Sequence, residues 1–210
     1  MLIRKANIED IDDILRVYED ARAFMAEMGN TTQWANGYPQ KDLLRDDIAK
    51  GKLFVCEEGP MLFSMSYLTE PVEGDDGGSL DESYMMLDAL ADLERNAEEA
   101  AGLKAVFYFA LEDDPTYRKI DGAWKSDEPY GVVHRIGVAK RGCGVGSFCM
   151  EWAQSKAKSA EAKGGIRIDT HKDNAPMRAM LEKLGYEECG TIICEDGTPR
   201  IAYQRVETDK

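Results

Sequence analysis

The 210-residue sequence is short of several things, and each shortage excludes a class of protein. No apolar run is long enough to span a bilayer, and the start, Met1-Leu-Ile-Arg-Lys-Ala-Asn-Ile-Glu-Asp, lacks the apolar core of a secretory signal. A cytoplasmic protein without a membrane partner is expected. Basic residues are few: 26 Lys and Arg stand against 40 Asp and Glu, a formal net charge of -14. That balance disfavours a phosphate backbone, so nucleic acid is not an expected partner, and cationic small molecules are favoured. The five cysteines are odd in number and form no C-x-x-C pair, so neither a disulfide framework nor a metal site is expected. Only two histidines are present, His134 and His171.

What is there is 43% hydrophobic content, enough for one domain with a proper core. Its centre is the stretch from Tyr130 to Gly146. Gly131–Val138 reads as a strand, with Val132, Val133, Ile136 and Val138 as β-branched bulk. A loop with Gly142, Gly144 and Gly146 follows, then a helix over 147–163 with Cys149, Trp152, Ala153, Ala157 and Ala160 on one face and Phe148 and Met150 at its edges. Glycines let backbone N–H groups turn to a ligand, and a helix N-terminus adds about half a positive charge. The pattern therefore predicts either an anion site, most naturally for a diphosphate, or a plain turn.

Elsewhere, Leu2–Lys5 reads as a strand and Asn7 as the cap of a helix that resumes over 21–28. Residues 33–39 form a loop carrying Trp34 and Tyr38, and 41–50 a helix closed by Gly51. Strands are expected at Leu53–Glu57, as its hairpin partner at 62–68, and at 103–111. The strand at 166–169 must run parallel to Gly131–Val138, because a helix crosses between them. Asn174 caps a helix with Pro176 in its first turn, Gly185 ends it, and 186–194 with 200–206 closes the chain as a hairpin. Between Glu70 and Ala101 there are eleven acidic residues and one basic residue, Arg95. Ser79 and Glu82 make a capping box, and Met86, Leu90, Leu93 and Ala97 make a stripe. This predicts an acidic helical insertion at about 72–102, whose stripe buries against the sheet edge or another chain, so a homodimer stays open.

Two separated motifs now agree. The run Arg141-Gly-Cys-Gly144-Val-Gly146 matches the R/Q-x-x-G-x-G/A signature of the GNAT superfamily of N-acetyltransferases, just after a strand ending in Val138. The run from Asp169 through Asn174 to Gly185-Tyr186 resembles that superfamily's N-x-x-A-x-x-L-Y-E-K-x-G-F segment. The resemblance spans residues 1–210 as a single domain apart from the insertion. It implies an α/β (α+β) fold, a mixed central sheet flanked by helices with a βαβ glycine-loop unit.

It further implies an acetyl-CoA co-substrate and no metal. Backbone groups of Cys143, Gly144, Gly146 and Ser147 would cradle the pyrophosphate, with Gly142 in the loop and Arg141 nearby. Ile136 and Val138 would hold the pantetheine arm where two strands splay apart. Asn174 would contact the cofactor, although its other role is the helix N-cap. His134 occupies a position from which some members contribute a general base, and an imidazole can take a proton from an amine at neutral pH. It is also open as a satisfied sheet histidine, since alternation alone does not fix its face. Leu181 replaces the superfamily's usual tyrosine, which protonates the departing thiolate.

The expected reaction is direct acetyl transfer to the primary amine of a small-molecule acceptor. Trp34, Tyr38, Asp127, Glu128 and Tyr130 are candidates for an acidic, aromatic acceptor pocket or for loop anchors, and His171 for an acceptor-site residue or loop packing. Two alternatives stand beside this reading. One is a non-catalytic acyl-CoA-binding sensor, suggested by Leu181. The other is a dinucleotide-binding oxidoreductase, in which Asp169, about twenty residues after the glycine loop, would bind a ribose.

Overall fold

The computed structural model describes residues 1–58, 102–139 and 141–207. Ile3–Cys56 and Leu103–Lys210 form one compact unit, which carries everything below. The expected hairpin strand at 62–68 and the acidic helix at 80–100 lie outside the described residues.

Strands β1 (Leu2–Lys5), β2 (Leu53–Glu57), β3 (Ala105–Leu111), β4 (Asp121–Gly122), β5 (Gly131–Val138), β6 (Ile166–Thr170), β7 (Glu187–Ile193) and β8 (Pro199–Arg205) build one sheet. Their order is β1-β2-β3-β5-β6-β8-β7-β4. Helices α1 (Ile11–Glu27) and α2 (Lys41–Ala49) precede the middle of the sheet in sequence, and α3 (Val145–Ser159) and α4 (Ala175–Lys183) follow it. The sheet is mostly antiparallel; β5 and β6 run parallel because α3 crosses between them. None of the described helices is long and apolar enough to cross a membrane.

Each face of the sheet has its own core. On one, Ile14, Val17 and Tyr18 of α1 and Leu44 of α2 meet Leu53, Val55, Val106 and Val132. On the other, Cys149, Met150, Ala153 and Ala157 of α3 and Leu181 of α4 meet Phe107, Phe109, Val133, Ile166 and Ile168. Burying each of the larger of these side chains contributes about 1.5–3 kcal/mol before entropy is counted. Within α3, Met150 is fully buried rather than at the edge of the face, and Ala160 is exposed.

Strand β5 changes phase midway. Val106 of β3 pairs with Gly137 and Tyr108 with His134, so Arg135 and Ile136 together oppose a single residue, a β-bulge. Arg135 sits at φ 51°, in the left-handed region, and Tyr18 donates a hydrogen bond to its carbonyl at 2.8 Å. Before the bulge Val132 faces α1 and Val133 faces α3. After it Gly137 faces Tyr18, while Ile136 and Val138 face the α3 core. His134 and Arg135, though consecutive, therefore both point to the α1/α2 face.

Already before the bulge, after Val132, β5 parts from β6. Their register covers only Gly131 with Ile166 and Val132 with Arg167, although β5 continues to Val138 and β6 to Thr170.

The helix after the glycine loop begins at Val145 and stops at Ser159, short of the expected 163. Glu161 adopts φ 58°, and the N–H groups of Glu161 and Ala162 return to the carbonyls of Lys158 and Ala157. That is the Schellman pattern with glutamate where glycine is usual, so no glycine marked the end. Replacing Glu161 with Gly should relieve the left-handed strain and stabilise the protein by about 0.5–1 kcal/mol, a rise of about 2 °C in Tm. A lower Tm would contradict the assigned cap.

Candidate active site

The loop after β5 turns through Gly142 (φ 77°) and Gly144 (φ 74°), a conformation most side chains avoid. Gly144 is the N-cap of α3, and its carbonyl accepts the N–H of Phe148 at 2.9 Å. No side chain caps this helix and no acidic residue lies in its first turn. Its leading N–H groups and the positive end of its dipole are thus left for an anion. A Cβ on Gly146 would come within 2.9 Å of Met180 Sδ, so α3 and α4 meet closely beside the loop.

A cleft of about 1300 Å³ runs from this loop, along the gap between β5 and β6, to the α1/α2 face. Ile136, Val138, Arg141, Gly142, Gly144, Gly146, Ser147 and Asn174 line it, together with His134, Trp34 and Tyr38. Arg141 lies 4.0 Å above the Phe24 ring and donates to the Asp20 carbonyl at 2.7 Å, both on α1. Asn174 is committed twice over. Its side chain accepts the Met177 N–H at 3.3 Å as the α4 cap and donates to Gln33 Oε1 at 3.3 Å.

Five expected residues stand outside the lining, among them Asp127, which is exposed. Cys143 is exposed at the tip of the loop with its thiol toward the Arg141 carbonyl. Glu128 is exposed. Tyr130 is buried under the Arg167 guanidinium, 3.8 Å from its ring, and its hydroxyl is engaged with Asp113 and the Asp114 N–H. His171 folds back on its own loop, where it accepts the Asp173 N–H at 3.3 Å; burial, then Arg200, lowers its pKa. Leu181, at the position of the superfamily's tyrosine, is fully buried in the α3/α4 core. Tyr186 is buried too, and burial pushes its phenol far above the ordinary range.

The chemistry concentrates around His134. Its Nε2 lies 2.7 Å from Asp114 Oδ2 and its Nδ1 3.8 Å from Asp169 Oδ1. Asp114 is itself fixed as the cap of the short turn Pro115–Arg118, where it accepts the Thr116 N–H at 2.7 Å. Burial alone would raise the Asp114 carboxyl, but the hydrogen bond and charge of His134, with Thr116, outweigh it and hold the pKa down to about 2. Asp169 accepts the Tyr117 hydroxyl at 2.7 Å. Beside them, Arg135 binds Asp47 of α2 at 2.6 Å and lies 4.9 Å from the Tyr108 ring. Asp114, Arg135 and Tyr117 were not among the expected site residues; Asp114 before Pro115 was legible as a turn, not as a partner of His134. Among the described residues no His, Cys, Asp and Glu group is placed to hold a metal ion.

Residues 88–186 match the family model described as the acetyltransferase (GNAT) family. A GNAT-family acetyltransferase from Streptococcus agalactiae superposes with a TM-score of 0.68 at 26% identity, covering 99% of this chain and 96% of that one. A GNAT-family acetyltransferase from Listeria monocytogenes gives 0.60 at 16% identity, covering 98% and 94%. An N-acetyltransferase from Staphylococcus aureus gives 0.54 at 17%, covering 98% and 97%. No curated protein matches the sequence. Residues 88–186, just under half of the chain, are thus similar to the GNAT acetyltransferase family, and the fold is that of the GNAT-family structures. The mostly antiparallel sheet also removes the dinucleotide-binding alternative, which requires a doubly wound parallel one.

The depressed Asp114 pKa sets a pH dependence. A carboxyl held at about 2 when folded and near 3.8 when unfolded contributes about 2 kcal/mol, fully present above the unfolded value and lost as pH falls through the folded one. Asp114→Asn should therefore unfold more easily than the parent at pH 5, and the two stabilities should converge towards pH 2. Urea titrations at both pH values measure this; a constant difference would contradict it.

Proposed function

We propose that the protein is an acetyl-CoA-dependent N-acetyltransferase that passes the acetyl group directly to a primary amine, with His134 as general base. The observation that carries this reading is the gap between β5 and β6. Beyond Val132 it leaves β5 paired with β3 alone, so that the β5 edge toward β6 has no strand partner, and it joins the open N-terminus of α3 to His134. A diphosphate fits the N–H groups of Gly144, Gly146 and Ser147, and an extended amide-bearing arm fits the unpaired edges, with Ile136 and Val138 as its hydrogen-bonding strand.

The thioester supplies an activated acyl carbon. His134 would accept the proton that the amine nitrogen must lose to attack it, and Asp114, bound at Nε2, would keep Nδ1 as the accepting atom. Backbone N–H groups of β5 past the bulge would stabilise the oxyanion. The C–N bond then forms, the C–S bond breaks, and its electron pair leaves on sulfur. With a thiol pKa near 8.5 the thiolate departs without a dedicated acid, which accommodates leucine at 181.

An acetyl-cysteine intermediate finds no support. Cys194 lines the cleft, but burial and then Asp169 push its thiol up to about 12, so it is not a thiolate at neutral pH.

Acetyl-CoA at a hundred times its Kd should add about 2.7 kcal/mol of stability, roughly 5–10 °C in Tm. Gly144→Val should abolish that shift while the apo protein stays folded, and an unchanged shift would displace the diphosphate from this loop. His134→Gln should retain the shift yet lower kcat/KM for the amine by about a hundredfold or more. Full activity in that variant would remove His134 from the chemistry.

A further inference from the structure

The carboxylates along the cleft differ in what neutralises them. Asp47 is paired with Arg135 at 2.6 Å, Asp46 with Lys50 at 2.5 Å, and Asp114 with His134 at 2.7 Å. Asp196 is exposed, with Arg200 at 3.9 Å and Thr198 as partners, and Glu195 is exposed to solvent. Asp169 is different. Its side chain is only 15% exposed, and among the described residues no Lys or Arg reaches it. One oxygen takes the Tyr117 hydroxyl, which is neutral, and His134 Nδ1 stands 3.8 Å away, beyond hydrogen-bond range.

A carboxylate has about four lone-pair sites, so most of this one's capacity is unused. Removing a charge from water without an opposite charge is costly, and the cost is offset when a cation arrives. The residue lines the cleft directly beside the base. Its other neighbours do not supply that cation: Tyr117 and Cys194 are neutral, since burial raises the pKa of both, and Asp114 is negative and already bound.

We infer that Asp169 is the anchor for the acceptor's ammonium group, so that the acceptor class is aliphatic amines that arrive protonated. This rests on the acetyltransferase reading for what happens next but not for the binding itself. The ammonium would sit between Asp169 and His134 Nδ1, one N–H to each. His134 takes one proton, the nitrogen gains its lone pair, and Asp169 keeps the resulting imidazolium in a favourable field. No oxidant or further reactant is required. Neutral amines such as anilines gain nothing from the carboxylate.

Calorimetric titration with benzylammonium chloride, without acetyl-CoA, tests the anchor apart from catalysis. The parent should bind it, and Asp169→Asn, which still accepts from Tyr117, should bind at least tenfold more weakly. Tyr117→Phe, which leaves the carboxylate in place, should bind as well as the parent. Equal affinity of the parent and Asp169→Asn, or no binding by the parent, would overturn the proposal. Should Asp169→Asn fail to fold, benzyl alcohol on the parent takes its place: binding at least tenfold weaker than benzylammonium supports the anchor, and equal binding overturns it. Turnover then separates the two readings. Bound amine without acetylation would count against the acetyltransferase and leave the anchor standing.

Discussion

The candidate site depends on one irregularity, the bulge at Arg135. A regular strand would alternate its side chains to the end and keep its hydrogen bonds with both neighbours. The extra residue instead turns His134 and Arg135 to the same face and returns Ile136 and Val138 to the other. The left-handed backbone at Arg135 is uncommon outside glycine, and its surroundings hold it there: Tyr18 grips the carbonyl and Asp47 the guanidinium.

The bulge and the parting of β5 from β6 divide the work between the two faces. The α3/α4 face has the glycine loop, the open helix end and the apolar packing around Leu181. The α1/α2 face has the titratable groups and the aromatics Trp34, Tyr38 and Tyr108. On the proposed reading the cofactor belongs to the first and the acceptor to the second, with the acyl group in the gap. The groups around His134 are each held by a neighbour. Asp114 caps a turn, Arg135 is tied to a helix, and Tyr117 packs against Trp124.

Much of the fold was legible because its signals are local. Gly131–Val138, the glycines at 142, 144 and 146, and Asn174 before Pro176 each carry their own instructions. So the βαβ unit and the glycine-loop end of the cleft followed from adjacent residues. The neighbourhood of His134 did not. Asp114 reaches His134 across 20 residues of chain and Tyr117 reaches Asp169 across 52, distances over which composition and periodicity say nothing. Glu128 and Tyr130 suggested a pocket by type, yet Arg167 draws Tyr130 into the base of the sheet instead. Nothing around Arg135 signals a left-handed residue, because the demand comes from α1 and α2.

The Arg135–Asp47 pair has a consequence for descent. Asp47 is almost fully buried and so is most of Arg135, so losing either leaves a charge stranded beside the bulge. Drift at one position is tolerable only when the other follows, and among homologous chains the residues at 47 and 135 should be inherited as a couple. The loop bearing Trp34 and Tyr38 reaches that pair through the Tyr38 hydroxyl, which accepts from Arg135 Nη1 at 3.4 Å, a contact with a neutral group whose loss leaves the Asp47 pairing in place. That wall of the cleft can diversify while the hinge of the strand stays as it is.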